Sequence, residues 1–329
     1  MGGRAVKVAV DVTPLELTRA GTARYLDSLL PRVEREVTVE RLRGYSNGKA
    51  GTLWLDLAWY PHVLPHRARG ADVLHCPTYR GPVRSRVPLV VTVHDLAVFR
   101  HPEAFPPWTR TYSRVVVPRV VRTARIVAVV SEFTAGELET LLHVPRERIR
   151  VVPNAAAEAF SEQGPREEGD YVLAVGTLEP RKNLARTIEA TQRLGVELRV
   201  AGAPGWGGIE ARGDGVRWEG EVGDGELARL YRGALCVAYP SLYEGFGIPV
   251  LEAMACGAPV VTSRGGATEE VAGGAAVLVD PEDASSIAAG IEDAIARRAE
   301  LRAAGLQRAG AYSWDESARL LLQAYEAAA

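Results

Sequence analysis

Two carboxylates eight residues apart, Glu244 and Glu252, frame the stretch YPSLYEGFGIPVLEAMACG at 239–257. The apolar run 235–239 ahead of Glu244 reads as a buried strand, and 249–256 as a helix closed by Gly257. Gly245 and Gly247 occupy the loop between them. This predicts Glu244 at the carboxyl end of a strand and Glu252 in the first turn of a helix. Free N–H groups at a helix start, reached over glycines, form an anion site, and carboxylates beside it accept hydrogen bonds from hydroxyls. Taken alone, the pair is better explained by a solvated Glu244 and a Glu252 that complements the helix dipole, worth about 0.3–1 kcal/mol.

Upstream, GTLEPRKN at 176–183 sets Arg181 and Lys182 at another helix start. Two cations there oppose the dipole unless an anion lies between them and the backbone amides. Arginine grips phosphate oxygens through two parallel hydrogen bonds, and lysine acts as a point charge. Cations for a diphosphate and carboxylates for ribose and sugar hydroxyls together describe a site for a nucleotide sugar.

The elements that must hold these residues follow from hydrophobic pattern. Strands are predicted at 6–12, 37–42, 73–76, 89–93, 126–130 and 149–152, then at 171–175, 197–201, 216–218, 235–239, 259–262 and 276–279, with helices between them. The fold class is α/β with two mostly parallel, Rossmann-like halves. Open parallel sheets bind ligands outside the carboxyl ends of their strands. Arg181, Lys182 and Glu244 occupy that edge, as do His94 and Asp95 after strand 89–93. A histidine so placed fits a catalytic or a structural role. Gly21 and Thr22 open a helix after the first strand and offer a phosphate contact, but no GxGxxG dinucleotide fingerprint is present. Residues 155–170 lose apolar periodicity and read as a linker, dividing the chain into 1–160 and 161–312, with helices at 284–298 and 313–328 to finish.

The chain has 329 residues, 47% hydrophobic and 24% charged, which is enough for two cores. A net charge of −2 gives no overall pull toward nucleic acid. The halves differ: residues 1–165 carry 23 Lys and Arg against 16 Asp and Glu, or +7, leaving −9 for the remainder. The basic half fits an anionic partner, phosphate or a lipid surface, as well as scattered arginines on solvated helices. Within it, 108–125 is a helical pattern with five arginines, and Pro118 should kink or split it. That helix fits peripheral contact with anionic lipid, or a valine stripe packed on the sheet. Cys76, Cys236 and Cys256 are widely spaced in apolar runs and read as core residues, not as a disulfide framework or zinc site. The opening MGGRAVKVAVDV reads as a strand and a poor signal peptide, and no run reaches the ~18 apolar residues of a spanning helix. A cytoplasmic protein is expected, able at most to rest on the inner membrane face.

SLYEGFGIPVLEAMACGAPVV, with GTLEPRKN upstream and TVHDL in the first half, resembles the retaining GT-B glycosyltransferases of family 4, in particular bacterial mannosyltransferase-like members. The resemblance extends through VVSEFTAGEL at 129–138, VVPNA at 151–155 and EEVAGGAAVLVDPED at 269–283. It implies a GT-B fold of two Rossmann-like domains facing a central cleft, with an acceptor-binding first domain, a donor-binding second domain, and a last helix crossing back to the first. It also implies that Glu252 holds the donor's ribose, that Glu244 holds hydroxyls of the transferred sugar, and that Arg181 and Lys182 bind the diphosphate. Gly21 and Thr22 would approach the same phosphates, His94 would face the sugar near the acceptor, and Phe246 and Gly247 would offer amides. Thr177, Ile248 and Leu251 complete the implied donor set. Two departures stand out: relatives often have Arg where this chain has Thr177, and a glycine pair where it has Gly21 alone.

Retention by double displacement needs a carboxylate nucleophile at the reacting carbon. By the resemblance Glu244 contacts hydroxyls instead, so same-face attack is expected. No DxD motif or His/carboxylate cluster is seen, so no metal and no cofactor are expected, only a GDP- or UDP-sugar as substrate. The acceptor would be a glycan, a lipid-linked sugar or a small natural product. Three rivals share parts of this pattern: a GT-B sugar-nucleotide epimerase or hydrolase, a phosphorylase with a pyridoxal lysine, and a non-catalytic nucleotide-sugar-binding protein. The phosphorylase is disfavoured because Lys7, Lys49 and Lys182 are the only lysines.

Overall fold

A computed structural model describes residues 6–17, 21–45 and 48–329. Six short strands of the first half, β1 (Lys7–Asp11), β2 (Thr38–Leu42), β3 (Val73–Cys76), β4 (Leu89–Val93), β5 (Ile126–Val129) and β6 (Ile149–Val151), pair in the order β2-β1-β3-β4-β5-β6. All neighbours are parallel. The inner strands β3, β4 and β5 are mostly apolar and buried along their length, as a sheet covered on both faces requires. The second half repeats the plan with β7 (Tyr171–Val175), β8 (Glu197–Ala201), β9 (Val216–Gly220), β10 (Cys236–Tyr239), β11 (Val260–Ser263) and β12 (Val277–Val279). These are again all parallel, in the order β12-β11-β10-β7-β8-β9. The strand order reverses between β1 and β3 in the first sheet and between β7 and β10 in the second. Such switch points open a crevice at the carboxyl edge, because the loops on either side turn away from each other.

The chain divides into two units, residues up to Asn154 together with Trp314–Ala329, and Ala155–Ser313. The boundary falls six residues before the predicted one, for a physical reason. Residues 156–170 contain neither helix nor strand, yet they are tied to the second unit. Arg232 donates to the carbonyls of Pro165 (2.7 Å) and Ser161 (3.0 Å), and Phe160 is buried edge-on to Tyr231. The segment is polar because its backbone is held by side chains, not because it is a free tether.

The arginine-rich segment forms two helices, Pro107–Val115 and Val117–Thr123. Pro118 stands at the start of the second, where its missing N–H is harmless. Val117, Val120 and Val121 enter the first core, so the valine stripe packs inward. A single predicted helix over 284–298 is instead Ala284–Ala296, followed after Arg297 by a further helix, Arg298–Ala309, that the pattern missed. The three cysteines are free and buried. No helix among the described residues is long and apolar enough to cross a membrane.

The last helix, Trp314–Ala328, belongs to the first unit, and a buried polar chain holds it there. Tyr325 Oη lies 2.8 Å from His75 Nδ1, and His75 Nε2 lies 2.9 Å from Thr92 Oγ1. Ser317 Oγ donates to the Pro153 carbonyl (2.6 Å), and Trp314 packs edge-on to Tyr25. Burial, with His94 nearby, pushes the His75 pKa down from 6.5 to about 3. A neutral ring fits both contacts, with Nδ1 accepting from the tyrosine and Nε2–H donating to the threonine.

Stability should follow. The unfolded chain protonates His75 below about 6.5 and the folded chain only near 3, so its contribution is full above 6.5 and lost as pH falls toward 3. Asp11, raised by burial from 3.8 to about 6, acts in the opposite sense over part of this window. Comparison with His75→Gln isolates the histidine. The difference in unfolding free energy between wild type and variant is expected to shrink steadily from pH 7 to pH 4, and a pH-independent difference would contradict a buried neutral His75.

Candidate active site

The site is built where the loops after β7 and β10 meet. Beyond β7 the chain leaves through Gly176 (φ +138°) and lies against the loop after β8, with Leu178 N–H bonded to the Ala203 carbonyl. A Cβ on Gly202 would stand 2.0 Å from the Gly176 carbonyl oxygen, and one on Gly205 would stand 2.2 Å from that of Leu178. Only glycine permits this approach. Pro180–Lys182 then forms a single 3₁₀ turn, ended by Asn183 in the left-handed region (φ 59°). Asn183 Nδ2 donates to the carbonyls of Pro240 (2.9 Å) and Pro281 (2.6 Å), and Leu242 N–H donates to the Arg181 carbonyl (2.8 Å). The two loops are thus stitched together across the switch point.

On that frame Glu244 is shared by two cations. Its Oε2 accepts from Arg181 Nη1 at 2.7 Å and its Oε1 from Lys182 Nζ at 2.6 Å, while Tyr239 Oη donates to Oε1 at 2.9 Å. Lys182 Nζ lies 2.6 Å from the same phenol oxygen, and Arg181 also pairs with the buried Glu179 at 2.7 Å. Burial alone would raise the Glu244 carboxyl, but Lys182 and Arg181 overcome it and hold the pKa down to about 2. Burial lowers the Lys182 ammonium and Glu244 works against that fall. The Tyr239 phenol is pushed well up by burial and by Glu244, so it is a neutral donor. The Glu244 side chain is 10% exposed, against 20% for Arg181 and 15% for Lys182, so the cluster is screened but reachable. Thr177 and Lys182 line one recess with Gly176 and Tyr239.

The other predicted donor residues follow β10 on the helix Ile248–Ala255 and its cap. Gly247 caps that helix with φ 105°, and a Cβ there would meet Thr268 at 2.9 Å. Phe246 is buried edge-on to Tyr312, Leu251 is fully buried, and Ile248 is partly exposed. Glu252 departs from expectation: the helix begins at Ile248, so Glu252 lies in its second turn. It is 2% exposed and accepts a 3.1 Å hydrogen bond from Tyr231 Oη. Its carboxylate is therefore not a dipole complement at the helix start.

Gly21, Thr22 and His94 belong to the first unit. Gly21 and Thr22 begin the helix Gly21–Val33, as predicted. His94 follows β4, with Nε2 2.9 Å from the Pro77 carbonyl and its ring edge-on to Tyr25, and burial lowers its pKa. That contact requires an Nε2–H donor, which sets the tautomer of a neutral ring.

Sequence reasoning missed Glu179, Tyr239, Asn183, Gly202 and Gly205. Glu179 sits two residues before Arg181 in the same motif and was legible as its partner. The glycines carry no chemical signature, since their role appears only when two loops touch.

Residues 156–309 match the family described as "Glycosyl transferases group 1", and residues 15–158 match "Glycosyltransferase Family 4". The O-antigen chain mannosyltransferase B of Escherichia coli is 32% identical over 283 residues, covering 77% of this chain and 74% of that protein. The chain belongs to glycosyltransferase family 4. Among solved structures, this family 4 glycosyltransferase is similar to sucrose-phosphate synthase of Thermosynechococcus elongatus, with a TM-score of 0.78, 21% identity and 98% of both chains covered. It is also similar to Anabaena HepE in complex with UDP-glucose, with a TM-score of 0.71, 19% identity and 98% of both chains covered. These likenesses show the GT-B fold, to which the two parallel sheets conform.

The close contact at Gly202 carries a test. Gly202→Ala in the glycosyltransferase is expected to cost about 2–4 kcal/mol, because a backbone carbonyl stands where the methyl must go. Gly225→Ala, whose methyl meets nothing, should be neutral or stabilising by up to about 1 kcal/mol. Urea unfolding followed by circular dichroism compares them.

Proposed function

We propose that this glycosyltransferase moves a hexose, mannose-like, from a GDP- or UDP-sugar to a glycan, lipid-linked or natural-product acceptor, with retention and without a metal. The observation that carries the reading is the sharing of Glu244 by Arg181 and Lys182 at the switch point between β7 and β10. The second unit binds the donor and the first binds the acceptor. That the Escherichia coli relative is a mannosyltransferase and the Anabaena neighbour was solved with UDP-glucose supports a nucleotide-sugar donor.

In this mechanism the diphosphate oxygens take up hydrogen bonds from Arg181 and Lys182. These groups lie ready on a stitched frame, so little reorganisation is needed as charge grows on the leaving group. Two fixed cations supply the charge neutralisation that a metal would otherwise provide. Glu244, held in its charged form by Lys182 and Arg181, accepts hydrogen bonds from hydroxyls of the transferred sugar, and Glu252 does the same for the ribose. Thr177, Phe246, Gly247, Ile248 and Leu251 shape the donor site, through backbone amides or apolar contact. The acceptor hydroxyl attacks from the face the diphosphate leaves, and its proton passes to a departing phosphate oxygen. A carboxylate held at about 2 is a poor general acid, which favours this route over one that protonates the leaving group through Glu244.

Lys182→Ala and Glu244→Ala are each expected to lower turnover at least tenfold, and EDTA to leave it unchanged; full activity in either variant, or loss with EDTA, contradicts the reading. Donor identity is read by thermal shift against GDP-, UDP- and ADP-sugars, the true donor stabilising by ~2.7 kcal/mol at 100 times its dissociation constant. Mass spectrometry of the products separates transfer from epimerisation or hydrolysis, and NMR of the new linkage reports retention.

A further inference from the structure

A second basic recess lies in the first unit, at the opposite edge of its sheet. His62, His66 and Arg69 come from the segment leading into β3, and Arg84 and Arg86 from the turn leading into β4. These residues precede their strands, so the recess sits at the amino edge, whereas His94 and the end of β1 occupy the carboxyl edge. It encloses about 320 Å³, room for a multiply charged anion. Its frame is anchored. Leu64 and Ala68 are fully buried between the exposed basic residues, and Ser85 Oγ bonds the Val87 carbonyl at 2.6 Å, holding Arg84 and Arg86 on either side of a fixed turn.

Charge is the decisive feature. No carboxylate lines the recess, and among the described residues none of Arg69, Arg84 and Arg86 has an ion-pair partner. Arg32, Arg41, Arg43, Arg80, Arg100 and Arg146 of the same unit each have one, whereas among the described residues Arg67, Arg114 and Arg122 do not, so what marks the recess is that its three unpaired arginines line one hollow. Three guanidinium groups gathered without a counter-charge repel one another, and the matching occupant is an anion with several oxygens to receive paired N–H donors. We propose that this recess binds a phosphate-bearing anion at a site separate from the donor diphosphate. Sources for such a group are a free diphosphate-type ion and an anionic lipid headgroup.

The test uses the full chain carrying Lys182→Ala, which weakens the donor-side diphosphate cluster, and adds Arg84→Gln with Arg86→Gln. Both arginines are exposed, and equal melting temperatures verify folding. Inorganic pyrophosphate is titrated calorimetrically, and sedimentation is measured with vesicles of phosphatidylcholine alone or with phosphatidylglycerol. The arginine changes are expected to weaken pyrophosphate binding, or binding to the anionic vesicles, at least tenfold. In an otherwise wild-type chain the same pair should leave transfer to a soluble acceptor within twofold. Loss confined to vesicles assigns a lipid headgroup, and loss confined to pyrophosphate assigns a free anion. If neither ligand binds, or binding changes less than twofold, the proposal is overturned; it stands apart from the donor-site reading, which fails instead if Lys182→Ala alone leaves transfer intact.

Discussion

A carboxylate divided between two cations is the constraint around which the second unit is arranged. Desolvation would protonate Glu244, and it would weaken Lys182 as an ammonium, so either charge alone would be costly in this position. Together, with Arg181 and the neutral phenol of Tyr239, they keep each other ionised. Removing one partner leaves the others buried without compensation, which is why such clusters tolerate change poorly. The surrounding backbone serves the same end: two glycines let one loop press on another, and Asn183 turns the chain so that consecutive cations address a single carboxylate.

The first unit solves a different problem with uncharged groups. Its last helix returns from the far end of the chain, and a line of neutral donors and acceptors through Tyr325, His75 and Thr92 receives it. Neutral hydrogen bonds are individually modest, but leaving a buried donor or acceptor unmade is expensive. The helix is therefore specified by polar matching as well as by the packing of Trp314 on Tyr25. A histidine ordinarily poised to titrate near neutrality is here made inert by burial.

Charge asymmetry between the halves becomes intelligible at this level. Many acidic residues of the second unit are tied to arginines, as in the Arg199, Glu167 and Arg229 cluster. In the first unit several arginines are paired in the same way, and three without an ion pair among the described residues line one recess at the amino edge of the sheet. Net charge reported an imbalance; only position separates a solvated surface from a concentrated one.

Much of the fold was legible in the sequence because parallel strands buried on both faces write themselves as short apolar runs. Strands β3, β4, β7 and β8 match their predicted bounds, and Pro118 and Gly257 act where backbone chemistry requires. Arg181, Lys182 and Glu244 were legible as a group because each closes a strand at the same sheet edge. What the sequence alone determined was residue type, periodicity and chain order, which are local properties. Tertiary structure decided that Glu244 is held by those cations, that Glu252 turns to Tyr231 from the second helical turn, that 156–170 is bound down by Arg232, and that Arg69, Arg84 and Arg86 line one recess. Each of these depends on contacts between residues tens of positions apart, and no local pattern encodes which distant groups will share a buried charge.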